Sequence, residues 1–210
     1  MYTMDKNIPV EGDGSSFMDA GIHENITLSK VEYNTSKNGN QFIAFYFKDA
    51  NGNQVSKTEW EPKKRDDNDD ISKKQENVMS RIKHICVNSK LLTEDEFTFK
   101  VNSFEELAKK VVELLESKKD KWDTTKLRVK VIYDDNNYTT LPRYTKFVWL
   151  ENMEIPKDQS KIKKLPIVDN FEREKADKEP NVANPYDELE NNKGEDTDVS
   201  ESESTEEAPF

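Results

Sequence analysis

Two Asn-Gly pairs, Asn38-Gly39 and Asn51-Gly52, separate three short apolar segments and constrain this chain more than any other feature. Asn and Gly tolerate the positive φ that a tight reversal between strands demands, so such pairs between alternating segments signal hairpins. The first segment carries Ile26, Leu28, Val31 and Tyr33, with a slip in the alternation that a β-bulge would absorb. Gln41 to Phe47 follow the Thr35-Ser36-Lys37-Asn38-Gly39 turn as a strand apolar on both faces, and Val55 to Trp60 form the third. The expectation is an antiparallel meander of three strands.

Pro62 ends the meander, and a charged loop runs to about Ile71. Val78, Ile82, Ile85 and Cys86 then share one helical face. Ser103-Phe104-Glu105-Glu106 is a capping box that starts a second helix, with Phe104, Leu107, Ala108, Val111 and Leu115 as its apolar stripe. Leu127, Val129, Val131 and Tyr133 alternate with Lys126, Arg128 and Lys130, the pattern of a half-buried strand with a basic outer face. After the Asp134-Asp135-Asn136-Asn137 turn and an extended segment through Tyr138, a last strand is expected over about Lys146 to Leu150. Three strands, a helical insertion and two strands predict a mainly β fold with an α insertion. The closest architecture is an OB-fold-like five-stranded antiparallel barrel, with the insertion between strands 3 and 4 enlarged to two helices.

The charge is partitioned. The net charge is −11, and residues 169–210 hold 15 acidic against 4 basic side chains. The remaining 168 residues are neutral, with 28 of each sign, and can still present a basic stripe to a phosphate. This divides the chain into a flexible leader over 1–20, a folded domain over 21–155, a basic-to-acidic linker over 156–186 and a disordered acidic tail over 187–210. Cys86 is the single cysteine, which favours a reducing compartment. Met1 to Lys6 lack the apolar stretch of a signal peptide, and no window reaches membrane-span length. A cytoplasmic protein without a membrane partner is expected.

Exposed aromatics interleaved with cations are what a single-stranded nucleic acid requires. A ring gains roughly 1–3 kcal/mol per stacked base without reading sequence, while Lys and Arg follow the phosphates. Ile43, Phe45 and Phe47 point to one face of strand two and Phe42, Ala44 and Tyr46 to the other. With the first set inside, Phe42 and Tyr46 join a candidate binding face. Lys57 and Trp60, then Lys126, Arg128 and Lys130, then Tyr138, Arg143 and Tyr144 extend it. Each aromatic has a competing reading as a core residue beneath the helices.

The last residues, Glu206-Glu207-Ala208-Pro209-Phe210, end an acidic, Ser-rich run on an apolar ring beside an α-carboxylate. A basic pocket with an apolar floor grips both, the ring adding about 1.5–3 kcal/mol on burial. In this the chain resembles bacterial and phage single-stranded DNA-binding proteins, which join an OB-fold to an acidic tail ending in Pro-Phe or a terminal Phe. The usual tip has Asp residues and an Ile before the Pro, where this chain has Glu206, Glu207 and Ala208. The segment from Gly21-Ile22-His23-Glu24-Asn25 through Glu59-Trp60-Glu61-Pro62 looks like tailed-phage proteins of the same class. The resemblance implies single-stranded DNA as ligand and replication, recombination and repair proteins as partners of the tip. It also implies a host-cytoplasmic location if the chain is viral. Assembly as a homo-oligomer stays open.

Other chemistry lacks its residues. An EF-hand loop begun at Asp66 would need Gly where Ile71 stands and Glu where Asn77 stands. His23 and His84 lack metal-ligand spacing, and neither a phosphate-binding Gly-rich loop nor a nucleophile signature is present. The expectation is a non-enzymatic, sequence-independent single-stranded DNA-binding protein without cofactor or metal. The alternative is a protein-interaction adaptor that uses a β-barrel and the acidic tail.

Overall fold

The computed structural model describes residues 16–66 and 68–173. Most of the leader, and the tail with Glu206, Glu207, Ala208, Pro209 and Phe210, lie outside them. The chain is mainly β, with one open antiparallel sheet of six strands and two α-helices. No described helix is long and apolar enough to cross a membrane.

The meander forms as expected from β1 (Gly21–Thr35), β2 (Gln41–Lys48) and β3 (Gln54–Trp60). Gly39 and Gly52 take positive φ, +73° and +86°, and their amides close the two turns onto the carbonyls of Ser36 and Asp49. The bulge is at Ser29, where the β1–β2 register shifts between Leu28 and Lys30 and the Ser29 hydroxyl donates to the Tyr46 carbonyl at 3.0 Å. Ile43, Phe45 and Phe47 of β2 are fully buried, and Phe42 and Tyr46 point to the opposite face.

The sheet is ordered β3-β2-β1-β4-β5, with β4 at Leu127–Tyr133 and β5 at Thr139–Thr140, and β6 (Leu150–Asn152) also pairs β4. The last strand therefore begins later than the sequence pattern suggests. The amides of Trp149 and Leu150 turn instead toward His84 Nε2, each at 3.4 Å. The expected barrel is not closed by a ladder. Among the described residues β3 meets the β5 segment through a side chain, as Lys57 Nζ donates to the carbonyls of Leu141 and Pro142 at 3.2 and 2.9 Å.

Between β3 and β4 stand α1 (Ile71–Asn88) and α2 (Phe104–Glu116). The acidic loop before α1 supplies its cap, since the Asp70 carboxylate accepts from the Lys73 amide at 3.0 Å. The α2 capping box forms, with the Ser103 hydroxyl accepting from Glu106 N at 3.1 Å and the Glu106 carboxylate accepting from Asn102 N at 2.8 Å. Val78, Ile82, Ile85 and Cys86 of α1 and Leu107, Ala108, Val111 and Leu115 of α2 join the core that the sheet residues begin.

Both ends of the folded body reach further than the sequence reading placed them. Met18 is buried, and backbone bonds between Ser16, Met18 and Gln54 hold this segment on β3. Residues 157–171, read as linker, fold back over β4. Ile162 and Asp169 are buried there, and the Tyr133 amide donates to Asn170 O at 2.8 Å.

The Gly39 site is sterically open, so Gly39→Ala meets only the backbone penalty of a positive φ. It should lower unfolding free energy by about 1 kcal/mol in urea titration, and Gly39→Asn by less. His84 lies stacked on Trp149, centroids 4.5 Å apart, and burial pushes its pKa down to about 4 from 6.5. As pH falls from 6.5 toward 4 the unfolded chain gains the proton before the folded one, so stability drops across that window. The full shift corresponds to roughly 3 kcal/mol. Urea titrations at pH 7 and pH 4.5 should show a smaller acid loss for His84→Gln than for the parent.

Candidate nucleic-acid interface

Alternation along the meander puts Phe42, Tyr46 and Trp60 on one face of the sheet, away from the Ile43–Phe45–Phe47 core. Phe42 and Trp60 are direct cross-strand partners with ring centroids 4.8 Å apart. Trp60 keeps 47% of its surface exposed, while Trp122 and Trp149 are buried. Tyr46 is more constrained. Its hydroxyl donates to Glu32 Oε1 at 2.7 Å, which with burial pushes its pKa up to about 12. Lys30 sits over its ring at 5.2 Å.

Beside Trp60 runs a groove of about 480 Å³ between β3, the loop after it, α1 and the segment after β5. Lys63, Arg65, Lys74, Arg81 and Arg143 line it. On its floor Arg81 grips the buried Glu59 carboxylate with two bonds of 2.7 Å, and its third nitrogen reaches the Arg143 carbonyl at 3.3 Å. This pairing neutralises Glu59, and Glu61 is the other carboxylate of the lining, outnumbered by Lys63, Arg65, Lys74 and Arg143. Lys63 donates to Asn40 Oδ1 at 2.7 Å, and Lys74 pairs with Asp69. The Arg65 and Arg143 side chains are exposed. An aromatic step beside a cationic trough offers stacking and phosphate neutralisation together, the two terms that single-strand binding combines.

Several residues chosen from the sequence do other work. Lys57 is 2% exposed. It is held by the two carbonyls already named and by Glu59 at 3.6 Å, and burial pushes its pKa down to about 8. Arg128 is buried between Glu151 and Glu24, the latter at 3.1 Å. Lys130 is fully buried, donating to Tyr144 Oη, Lys163 O and Asp169 Oδ2 at 2.7, 2.6 and 2.7 Å. The basic outer face expected of β4 is thus an interior, because residues 157–171 cover it. Tyr144 donates in turn to Asp169 Oδ1 at 3.1 Å and belongs to that buried network.

Lys126 is exposed beside the Asp123 carbonyl, to which it donates at 2.8 Å. Tyr138, 72% exposed, stands on the β4–β5 turn and does not line the groove. Of the predicted set, the structure brings together Phe42, Trp60 and Arg143. Lys63, Arg65, Lys74 and Arg81 were missed. Their signal was present as Lys63-Lys64-Arg65 and as the polar face of α1, but only as charge without a location.

The buried and exposed cations should behave differently on truncation. Lys130→Ala leaves Asp169 buried without its counter-charge and should cost about 3–5 kcal/mol. Arg143→Ala should stay within about 0.5 kcal/mol of the parent in the same thermal or urea unfolding measurement. No protein-family model matches the chain, and no curated protein matches it.

Proposed function

We propose that this chain is a non-enzymatic, sequence-independent single-stranded DNA-binding protein whose acidic C-terminal segment recruits replication, recombination or repair proteins. The observation that carries the reading is the Phe42–Trp60 pair set beside the groove of Lys63, Arg65, Lys74 and Arg143. Every base has a π-face, so this surface grips a strand without regard to sequence, and the bound cations release counterions from the phosphates.

The topology supports an OB-type reading of the sheet. A long first strand shares its pairing between β2 and β4, the helices fall between β3 and β4, and Lys57 draws β3 toward the β5 segment. In such folds the faces of strands 2 and 3 carry oligonucleotides, and here those strands carry Phe42, Tyr46 and Trp60. The tail enters through the chemistry of Phe210, a ring and carboxylate for a basic, apolar-floored pocket on a partner, with Glu206, Glu207, Ala208 and Pro209 leading to it.

Trp60 is the one exposed tryptophan, so oligo-dT should quench emission through it alone. Trp60→Phe should abolish the quench while anisotropy still reports binding. Trp60→Ala should weaken binding by roughly 1–3 kcal/mol. Removing Arg65 and Arg143 together should reduce the slope of log K against log salt by about 0.7 per cation. Salt-insensitive or absent dT binding by the parent chain would sink the proposal. Full activity lost on deleting residues 187–210, with DNA affinity absent throughout, would mark an adaptor instead.

A further inference from the structure

The cationic groove does not end at β3. Glu61, Pro62 and Val78 line it and also line a second cleft, of about 420 Å³, between α1 and the start of α2. Pro62, Met79, Val101 and Phe104 form apolar walls, and Met79 keeps 45% of its surface exposed. The amide side chains of Gln75 and Asn102 stand at the rim, both exposed. Glu61 is the one charged residue of this lining. The volume falls within the roughly 300–1,000 Å³ of ordinary ligand clefts.

A cleft without a cation does not hold a phosphate. Apolar walls with amides at the rim suit a flat group with apolar faces and hydrogen-bonding edges. A thioether and an aromatic ring give such a group polarizable contacts. An unstacked nucleobase has this chemistry, and the adjoining groove supplies, through Lys63, Arg65 and Lys74, the positive charge that its phosphate needs. The shared wall at Pro62 and Val78 lets neighbouring nucleotides of one strand occupy both.

We infer that the helical insertion extends the single-strand path, with the base of a nucleotide beyond the one at Trp60 entering the Pro62–Met79–Phe104 cleft. This rests on the proposed role of the groove. It assigns to α1 and α2 a base-binding function besides their service to the core.

The test is fluorescence anisotropy of labelled oligo-dT of increasing length against the full chain, with Met79→Ser and Met79→Phe as variants. Met79 is exposed, so neither substitution disturbs the core, and neither adds charge. Met79→Ser should bind the shortest competent oligonucleotides as the parent does, and bind longer ones about fivefold more weakly. Met79→Phe should keep the parent's gain with length. A Met79→Ser profile identical to the parent at every length overturns the inference and leaves the groove reading standing. Failure of any dT to bind the parent removes the groove reading itself. Unchanged dT binding with lost affinity for a peptide of residues 201–210 would give the cleft to an apolar peptide anchor, which also overturns the inference.

Discussion

The fifteen-residue strand β1 divides its hydrogen bonds between two partners, and the rest of the fold is arranged around that division. Thr27 to Thr35 pair with β2, while Gly21 to Ile26 pair with β4. Leu28 and Val31 are three residues apart, a spacing that strict alternation would send to opposite faces. The extra residue at Ser29 restores both to the interior, where each is buried. The same bulge adds local twist, which turns one sheet edge back toward the other. With β1 so placed, α1 and α2 cover the buried face of the meander, and the opposite face is left to Phe42, Tyr46 and Trp60.

Three cations inside the body carry the second level of organisation. Lys57 joins the two sheet edges, and Arg128 and Lys130 tie β4 to the segments that cover it. Burying an ammonium or guanidinium without partners costs several kcal/mol, so each is tolerable only where carbonyls or carboxylates converge on it. Those partners come from distant positions, Leu141 and Pro142 for Lys57, Glu151 for Arg128, and Asp169 for Lys130. Positive charge available to a ligand is thereby shifted from the strands to α1 and the loops that frame the Trp60 groove.

This shift explains which parts of the site were legible in the sequence. Phe42 and Trp60 were found because strand alternation is a local property, and an excess of apolar side chains on β2 implied an aromatic outer face. Arg128 and Lys130 looked equally exposed by the same alternation, yet alternation reports which face a side chain takes, not what later covers that face. The cover is residues 157–171, whose Lys-rich composition reads as a linker and whose Ile162 and Asp169 are too few to announce a packing role. Arg65 and Lys74 carried no local pattern that tied them to Trp60, since their neighbourhood arises only when α1 docks beside β3.

Turns, caps and periodicities were therefore settled by the sequence alone: both Asn-Gly reversals, the bulge, the Ser103 cap and the inward faces of β2, α1 and α2. Each depends on interactions reaching a few residues along the chain. The tertiary structure alone decided that the sheet stays open beyond Lys57, that β4 is covered on both sides and that the cations beside Trp60 come from α1 and the loops. Those outcomes depend on contacts between residues far apart in the chain, such as Arg81 with Glu59, 22 positions apart, and Lys57 with Pro142, 85 positions apart, and no local pattern encodes them.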